Sequence, residues 1–415
     1  MYTGLILGIQ ILAGYPQMPY YSLIILAVYS IFRCRSFKKI ILTLLTILII
    51  GLGISAVQWV PTYEFVRFSS RKAGLEYSQF TRFSYKLDDL VMFVFPFYYG
   101  TPAKNNFNKE GTIFWENSFF ISKVAILLAV VGIILYFRKS YYVKIFCFLI
   151  FFCLIIALHH QLGLSAVFKS LIPGFKYLRI HQRLLFCAGF CIAVLTGYSC
   201  ELVERKKLSL LYKLMILVLI LFELFSFGRD FNPTYNAKKW FSKPETLKFL
   251  ENDKNDKEVY RIFSIADQRI AFNLANGWNN NLQPYFWFRN FLVPNSNMTF
   301  EIDNVEAYTG GLGGAGLSGP ENYLAKFRSV TFLEKEPDTD DIKVVLGKES
   351  AKLLGLANVK YIVSNYPIDS KYVRLKKEIS DGNILPIRIY ENSQSLPRVF
   401  AQSRKHSHYL AIKRY

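Results

Sequence analysis

The chain carries 415 residues, 52% of them hydrophobic and 19% charged, with a formal net charge of +20. This composition excludes an ordinary soluble domain over the whole length. It does not mark a nucleic-acid binder either. The basic residues fall in short clusters between hydrophobic runs, not along one face with interleaved aromatics, and anionic lipid is the partner that fits the excess.

Apolar residues crowd the chain before Arg229 and thin out after it, which predicts one part in lipid and one in water. The runs 2–13, 20–32, 40–60, 120–137, 145–158, 184–197 and 210–227 read as seven spans. The first is short against the ~20 residues that a span needs. It has no basic leader and no small-residue cleavage site, so a cleavable signal peptide is not expected there. A chain that opens inside an apolar run reads as lacking upstream spans.

Three basic clusters separate the runs: Arg33, Arg35, Lys38 and Lys39; then Arg138, Lys139 and Lys144; then Arg205, Lys206, Lys207 and Lys213. Positive charge favours the cytoplasmic side, and all three clusters lie there if the N-terminus is cytoplasmic and everything after 227 is extracytoplasmic. The outer connections are then the turn 14–19 and the loops 61–119 and 159–183, with 86–94 as a short surface helix. The six cysteines, Cys34, Cys147, Cys153, Cys187, Cys191 and Cys200, lie in or beside apolar runs and include no CxxC pair. A disulfide framework in the second half and a thiolate zinc site are therefore not expected.

Beyond the last span the pattern predicts an α/β domain over 229–415. Asn232-Pro233 closes the last helix, and a helix over 242–252 has Ser242 as its cap. Strands are expected at 259–265, 298–302, 342–346, 359–364, 372–378 and 384–390, with a short helix at 348–355. In the last of these strands Ile387 and Ile389 flank Arg388 in clear alternation.

Candidate functional residues gather at the predicted outer boundary. Gly14-Tyr15-Pro16-Gln17 breaks helix continuity and exposes backbone polar groups at membrane depth, with Tyr15 and Gln17 as polar side chains. Glu64 precedes Arg67 and Arg71 at about one and two helical turns, a spacing that allows pairing. Tyr98, Tyr99, Trp115 and Glu116 are side chains of the kind that stack on and hydrogen-bond sugar rings. Lys176, Arg179, His181 and Arg183 crowd one boundary against the positive-inside bias, and a lipid phosphate is the partner that this cluster fits. Head-group snorkelling, helix-end charge and surface ion pairs are the plain alternatives. Glu223 lies inside the last run, near its outer end. His159-His160 has no third metal ligand nearby, and the glycines at 310, 311, 313 and 314 lack the Lys-Ser/Thr ending of a phosphate loop.

Several of these pieces occur together in one order: Gly14-Tyr15-Pro16-Gln17, Trp59-Val60-Pro61 with Glu64 and Ser70-Arg71, Pro96 with Gly100, Glu116, and Pro173-Gly174-Phe175 with Arg179 and Arg183. Tyr260-Arg261-Ile262, Leu356-Ala357-Asn358-Val359-Lys360-Tyr361-Ile362-Val363, and Tyr390-Glu391-Asn392 with Leu396-Pro397-Arg398-Val399-Phe400 follow. In this the chain resembles the YfhO-like family of bacterial membrane proteins, relatives of the C-type (GT-C) lipid-dependent glycosyltransferases. The resemblance implies a GT-C-like helical membrane domain and an extracytoplasmic α/β domain. It also implies a polyprenyl-phosphate-sugar donor and transfer to a cell-envelope glycopolymer on the outer face. The family's acidic residue, which serves as a base or binds a divalent metal, belongs to a segment before Met1, so no catalytic residue or metal ligand is assigned here. A non-catalytic lipid-binding or transport component of the envelope is the second reading. A secondary transporter is disfavoured by the lack of an internal repeat.

Overall fold

The computed structural model describes residues 1–205, 210–229, 231–232, 234–253, 259–265, 277, 281–306, 318–329, 331–335, 342–380 and 385–400. Lys206 and Lys207 of the third basic cluster and the glycines at 310–314 lie outside them. The chain divides into two compact units, Met1–Pro233 and Thr234–Tyr415, a few residues past the expected boundary.

The first unit is helical. It opens with α1 (Tyr2–Leu12), α2 (Gln17–Arg33) and α3 (Phe37–Ile54). Gly14 takes a φ of +80° and Pro16 stands at the N-cap of α2, so the turn is tighter than the 14–19 expected. Pro19 fits inside the first turn of α2, where backbone N–H groups have no helical acceptor to lose.

The expected span 40–60 is divided. Helix α3 ends at Ser55, whose hydroxyl donates to the Gly51 carbonyl at 2.7 Å, and α4 (Ala56–Arg67) starts afresh. The indole Nε1 of Trp59 donates to Leu52 O across the break at 2.9 Å. The predicted outer loop 61–119 therefore begins inside a helix. Next come α5 (Tyr77–Thr81), a 3-10 turn at Leu87–Phe93 in place of the surface helix, α6 (Phe114–Asn117), α7 (Lys123–Tyr136), α8 (Tyr141–Ala157), α9 (Ser165–Leu171), α10 (Leu185–Arg205) and α11 (Leu210–Arg229).

Helices occupy all the predicted apolar runs. Three segments, Phe37–Ile54, His181–Glu201 and Leu210–Arg229, are long and apolar enough to cross a membrane. Tyr2–Leu12, Lys123–Tyr136 and Tyr141–Ala157 are apolar but shorter. Where both neighbours and solvent are apolar, helices associate through close backbone approach and polar bonds. Both devices are present. Gly4 and Gly8 lie one turn apart on α1 and face α3, where a Cβ on Gly4 would stand 2.8 Å from Ile50 Cβ. A Cβ on Gly132 of α7 would meet the Leu195 carbonyl of α10 at 2.5 Å. At the same contact Thr196 Oγ1 donates to Ala125 O at 2.9 Å, and Ser199 donates to Leu128 O. Glu223 of α11 has a capping role: its Oε2 accepts from Ser122 Oγ at 2.6 Å and from Val124 N at 3.3 Å, at the N-terminus of α7.

The second unit is α/β. It contains α12 (Ala237–Trp240), α13 (Glu245–Asn252), β1 (Arg261–Ile265), α14 (Gln283–Asn290), β2 (Asp303–Asn304), α15 (Ser318–Ser329), β3 (Thr331–Lys335), β4 (Ile342–Leu346), α16 (Lys348–Leu356), β5 (Val359–Ser364), β6 (Ile368–Asp369), β7 (Val373–Ile379) and β8 (Ile387–Asn392). Ser242 is not the cap of α13. Its hydroxyl donates back to Lys239 O at 2.7 Å, and Pro244 takes the N-cap position. The strand expected at 298–302 is a 3-10 turn, Asn297–Phe300, closed where Asn297 Nδ2 donates to Ile302 O at 2.5 Å and Glu301 takes a φ of +55°.

One sheet has the order β2-β1-β5-β8-β7, parallel from β2 to β5 and antiparallel beyond it; the other has the order β3-β4-β6. Strand β5 is central and buried on both faces, as its near-continuous apolar run requires. Ile387 and Ile389 are fully buried, and Trp287 from α14 packs nearby with its indole donating to Leu385 O at 2.7 Å.

The loop after β8 is clamped to the sheet. Asn392 Nδ2 donates to Ala351 O and Val359 O, and Gly355 lets the chain pass so closely that a Cβ there would stand 1.8 Å from Gln394 O. We expect Gly355→Ala to destabilise this unit by about 2 kcal/mol, the scale of an overpacked core. Denaturant titration of the full chain followed by proteolysis of the second unit measures this, and an unchanged midpoint would contradict the clamp.

Candidate functional site

The expected boundary residues come from three distant segments, and the structure joins most of them through one guanidinium. Arg183 sits in the 3-10 turn His181–Leu184 that leads into α10. Its Nε donates to Glu116 Oε2 at 2.7 Å, its Nη2 donates to Glu116 Oε1, and its Nη1 donates to Gln17 Oε1 at 3.0 Å. The guanidinium also lies over the Tyr15 ring, 5.3 Å from its centroid. Tyr15 OH donates to the same Gln17 oxygen at 3.2 Å. Gln17 Nε2 then donates to Tyr21 OH and to Arg179 O, both at 2.7 Å. Tyr21 OH meets His181 Nδ1 at 2.9 Å. Tyr15, Gln17, Glu116, Arg179, His181 and Arg183 thus form one network, joined by Tyr21, which sequence reasoning missed inside an apolar run.

The Arg183–Glu116 pair is mostly buried, with 22% and 19% of the two side chains exposed. Burial raises the Glu116 carboxyl above its ordinary range, while the Arg179 charge pulls it down. The two-pronged bond from Arg183 favours the carboxylate form against that burial. Arg183 is therefore engaged, not open to a phosphate as the sequence led us to expect. Nor does His181 face a head group. It is 1% exposed and stacks on Phe175 with centroids 3.9 Å apart.

The remaining cations lie beside this lock. Arg71 Nη1 donates to Tyr177 O at 3.2 Å, and Leu75 N donates to Lys176 O at 2.9 Å, which knits the 71–75 turn to the 175–183 segment. Burial lowers the Arg71 pKa, and repulsion from Arg179 adds to the effect. Lys176 lays its stem against Gly74 and its ammonium over the Tyr177 ring. Neighbouring Gln182 donates to Phe83 O at 2.8 Å and to Asn117 Oδ1 at 3.1 Å, fixing α6 to the same segment.

Four expected residues lie outside this network. Glu64 is exposed on α4 and makes no ion pair among the described residues, since Arg67 turns to the Tyr63 ring and Arg71 to Tyr177. Tyr99 belongs to a separate cluster: its hydroxyl donates to Asp88 O at 3.1 Å, and Lys109 covers its ring while pairing with Asp88 at 3.1 Å and with Asp89 at 2.5 Å. Tyr98 stands edge-on to Tyr99, 5.0 Å between centroids. Trp115 packs on Phe114 and Phe231 beside Glu116.

Directly below the network lies a groove of about 630 Å³ among α1, α2, α8 and α10. Ser22 and Ile25 line it just past Tyr21, and Phe186 and Phe190 line it within two turns of Arg183. The groove follows α2 from Ser22 to Tyr29, about 10 Å of helix. Its walls are almost entirely apolar, and its rim residues Ile6 and Phe190 are exposed.

Among the described residues no group of three or more His, Cys, Asp or Glu side chains could hold a metal ion. His159 and His160 instead both meet Ser165 Oγ, at 2.9 and 3.3 Å. No family model, curated protein or solved structure matches this chain.

Two outcomes follow. A double-mutant cycle with Arg183→Met and Glu116→Gln should give a coupling energy of about 1–3 kcal/mol in the stability of the detergent-purified chain. A cycle that closes near zero would reduce the pair to an incidental contact. The second outcome concerns His159, whose pKa is lowered to about 4 by burial and by the neighbouring His160. The unfolded chain takes up the proton near its ordinary pKa of about 6.5, so this stabilising contribution is complete above that pH and is lost as pH falls toward about 4. His159→Gln should flatten that part of the stability–pH curve, and a curve with unchanged slope would count against it.

Proposed function

We propose that this chain is a multi-pass membrane protein that binds a polyprenyl-phosphate-linked sugar at its outer boundary. It acts in transfer of that sugar to a cell-envelope glycopolymer. The observation that carries the reading is a cluster of cations on the 175–183 segment and the 71–75 turn, tied to the start of α2 and next in sequence to the helical turns that line an apolar groove. A phosphate placed between Arg71 and Arg179 relieves their mutual repulsion and puts positive charge where the leaving group develops negative charge. The groove from Ser22 to Tyr29 then takes the first isoprene units of the chain. Arg183 acts as a positioning residue that holds the Arg179 backbone through Gln17. The orientation proposed is a cytoplasmic N-terminus and an extracytoplasmic second unit. It follows the clusters Arg33–Lys39 and Arg138–Lys144 by the positive-inside rule. The resemblance to the YfhO-like and GT-C families supports the donor class and nothing finer.

One observation favours the second reading, a non-catalytic lipid-binding component. Glu116, the carboxylate nearest the cations, is held by two bonds from Arg183, which leaves it poorly placed to take a proton from an acceptor hydroxyl.

Native mass spectrometry of the detergent-purified chain with polyprenyl phosphate tests the shared part. Arg179→Gln should weaken retention about tenfold, ~1.4 kcal/mol. Ser22→Trp, which fills the upper groove, should weaken a long-chain phosphate but not a two-isoprene phosphate. If neither change matters, the site is misassigned. Transfer from radiolabelled polyprenyl-phosphate-sugars in membranes then separates the readings: transfer supports the enzyme, and binding without transfer supports the lipid-binding component.

A further inference from the structure

Helix α3 holds 18 residues, about 27 Å of helix, which nearly spans the hydrocarbon of a bilayer by itself. After the break at Ser55, α4 adds 12 residues, about 18 Å, too few to cross again. It begins beside the turn that carries Tyr15 and Gln17, since a Cβ on Gly14 would stand 3.9 Å from Gln58 Nε2. The start of α4 and the Arg183 network are therefore at the same end of these helices.

The helix is arranged inside out for a water-soluble one. None of its residues is buried. Gln58 and Thr62 are among the half-buried ones, and Thr62 Oγ1 donates to Gln58 O at 2.7 Å. Val57, Val60 and, just past the helix end, Phe68 face outward, 76%, 46% and 64% exposed, with Tyr63 and Phe65 exposed among them. An apolar face of this kind needs a cover, either lipid or another protein.

Three features choose lipid, and choose head-group depth within it. Pro61 lies inside α4 and has no N–H to give the Val57 carbonyl, a group that water can satisfy at the boundary and hydrocarbon cannot. Trp59 and Tyr63 are the side chains that collect at a membrane–water boundary, where an apolar ring and a polar tip are both solvated. Arg67 and Lys72 end the segment, are exposed, and make no ion pair among the described residues. Arg67 lies over the Tyr63 ring at 6.0 Å, so its charge stays beside the same face.

We propose that α4 is a membrane-interface helix. It lies in the leaflet boundary on the side of the Arg183 network, with Val57, Val60, Phe65 and Phe68 against the upper acyl chains and Arg67 and Lys72 against anionic head groups. The inference rests on the membrane reading of the first unit and not on the bound sugar lipid.

Tryptophan fluorescence of the full chain in vesicles of phosphatidylglycerol and phosphatidylcholine tests it. Val60→Trp and, as a reference in the middle of a span, Leu219→Trp add a ring at an exposed position, and the added emission is read as the difference from the five native tryptophans. Lipid chains brominated close to the head group should quench the Val60→Trp emission more than chains brominated toward their ends, and the order should reverse for Leu219→Trp. Brominated phosphatidylglycerol should quench Val60→Trp more than brominated phosphatidylcholine at the same fraction, and Arg67→Gln combined with Lys72→Gln should abolish that preference. Quenching of Leu219→Trp without quenching of Val60→Trp would overturn the inference and leave protein or water as the cover. Stronger quenching of Val60→Trp by the deep bromines would overturn it in favour of a helix sunk in the hydrocarbon. Equal quenching by the two head groups would overturn the role of Arg67 and Lys72, and quenching of neither variant would overturn the membrane reading as well.

Discussion

The helical unit is tied together by one buried guanidinium. Arg183 bonds Glu116 with two nitrogens and Gln17 with the third, and Gln17 passes the constraint to Tyr21 and to the Arg179 carbonyl. A pair this buried contributes less by forming than it costs to break on one side, because the orphaned charge has no water to return to. The arrangement also explains a strained backbone. Ile180, a β-branched residue, holds a φ of +60°, a conformation that costs about 1–3 kcal/mol and persists only where its surroundings over-determine it. Gln17 Nε2 reaches the Ile180 carbonyl at 3.5 Å, and Arg183 N bonds back to that carbonyl at 3.3 Å.

How much of this was legible in the sequence depends on the range of the forces involved. Hydropathy is local, so helices lie where the apolar runs predicted them. The break at Ser55 was not legible, because α3 and α4 are apolar on both sides of it and the cause is a hydroxyl folding back on its own helix. In the second unit, β4 and β5 match the expected ranges residue for residue, whereas 298–302 has strand composition but is turned by a side-chain bond from Asn297. The candidate site was legible as a list of residue types but not as a set of partners. Glu64 and Arg71 have helical spacing, yet Arg71 lies beyond the end of α4 and turns to Tyr177, 106 positions away. Glu116 and Arg183, 67 positions apart, carry no local signal of their pairing.

Glu223 shows how a polar residue in an apolar run can be structural without being idle. Ser122, which precedes α7, sits at a φ of +98°, and the two donors at that helix start are answered by a carboxylate from α11. Across an apolar interface such a cap does what burial of apolar surface does in water, since helices in lipid gain nothing from hiding one greasy face against another. The same logic places Thr196 and Ser199 against α7 carbonyls. Polar residues inside the apolar helices hold them together, and those at the Arg183 network gather charge.

That division bears on how the proposed site would work. Arg179 is shared electrostatically between Arg71, which it repels, and Glu116, which it holds toward the ionised form. A lipid phosphate that neutralises Arg179 removes both effects together. The repulsion that favours the anion's entry disappears, and the proton affinity of the partly buried Glu116 rises. The carboxyl is then restrained mainly by Arg183, and the strength of that one pair decides whether it stays a fixed counter-ion or becomes able to exchange a proton. The catalytic and the merely lipid-binding readings thus differ in the strength of the Arg183–Glu116 pair once the phosphate has arrived.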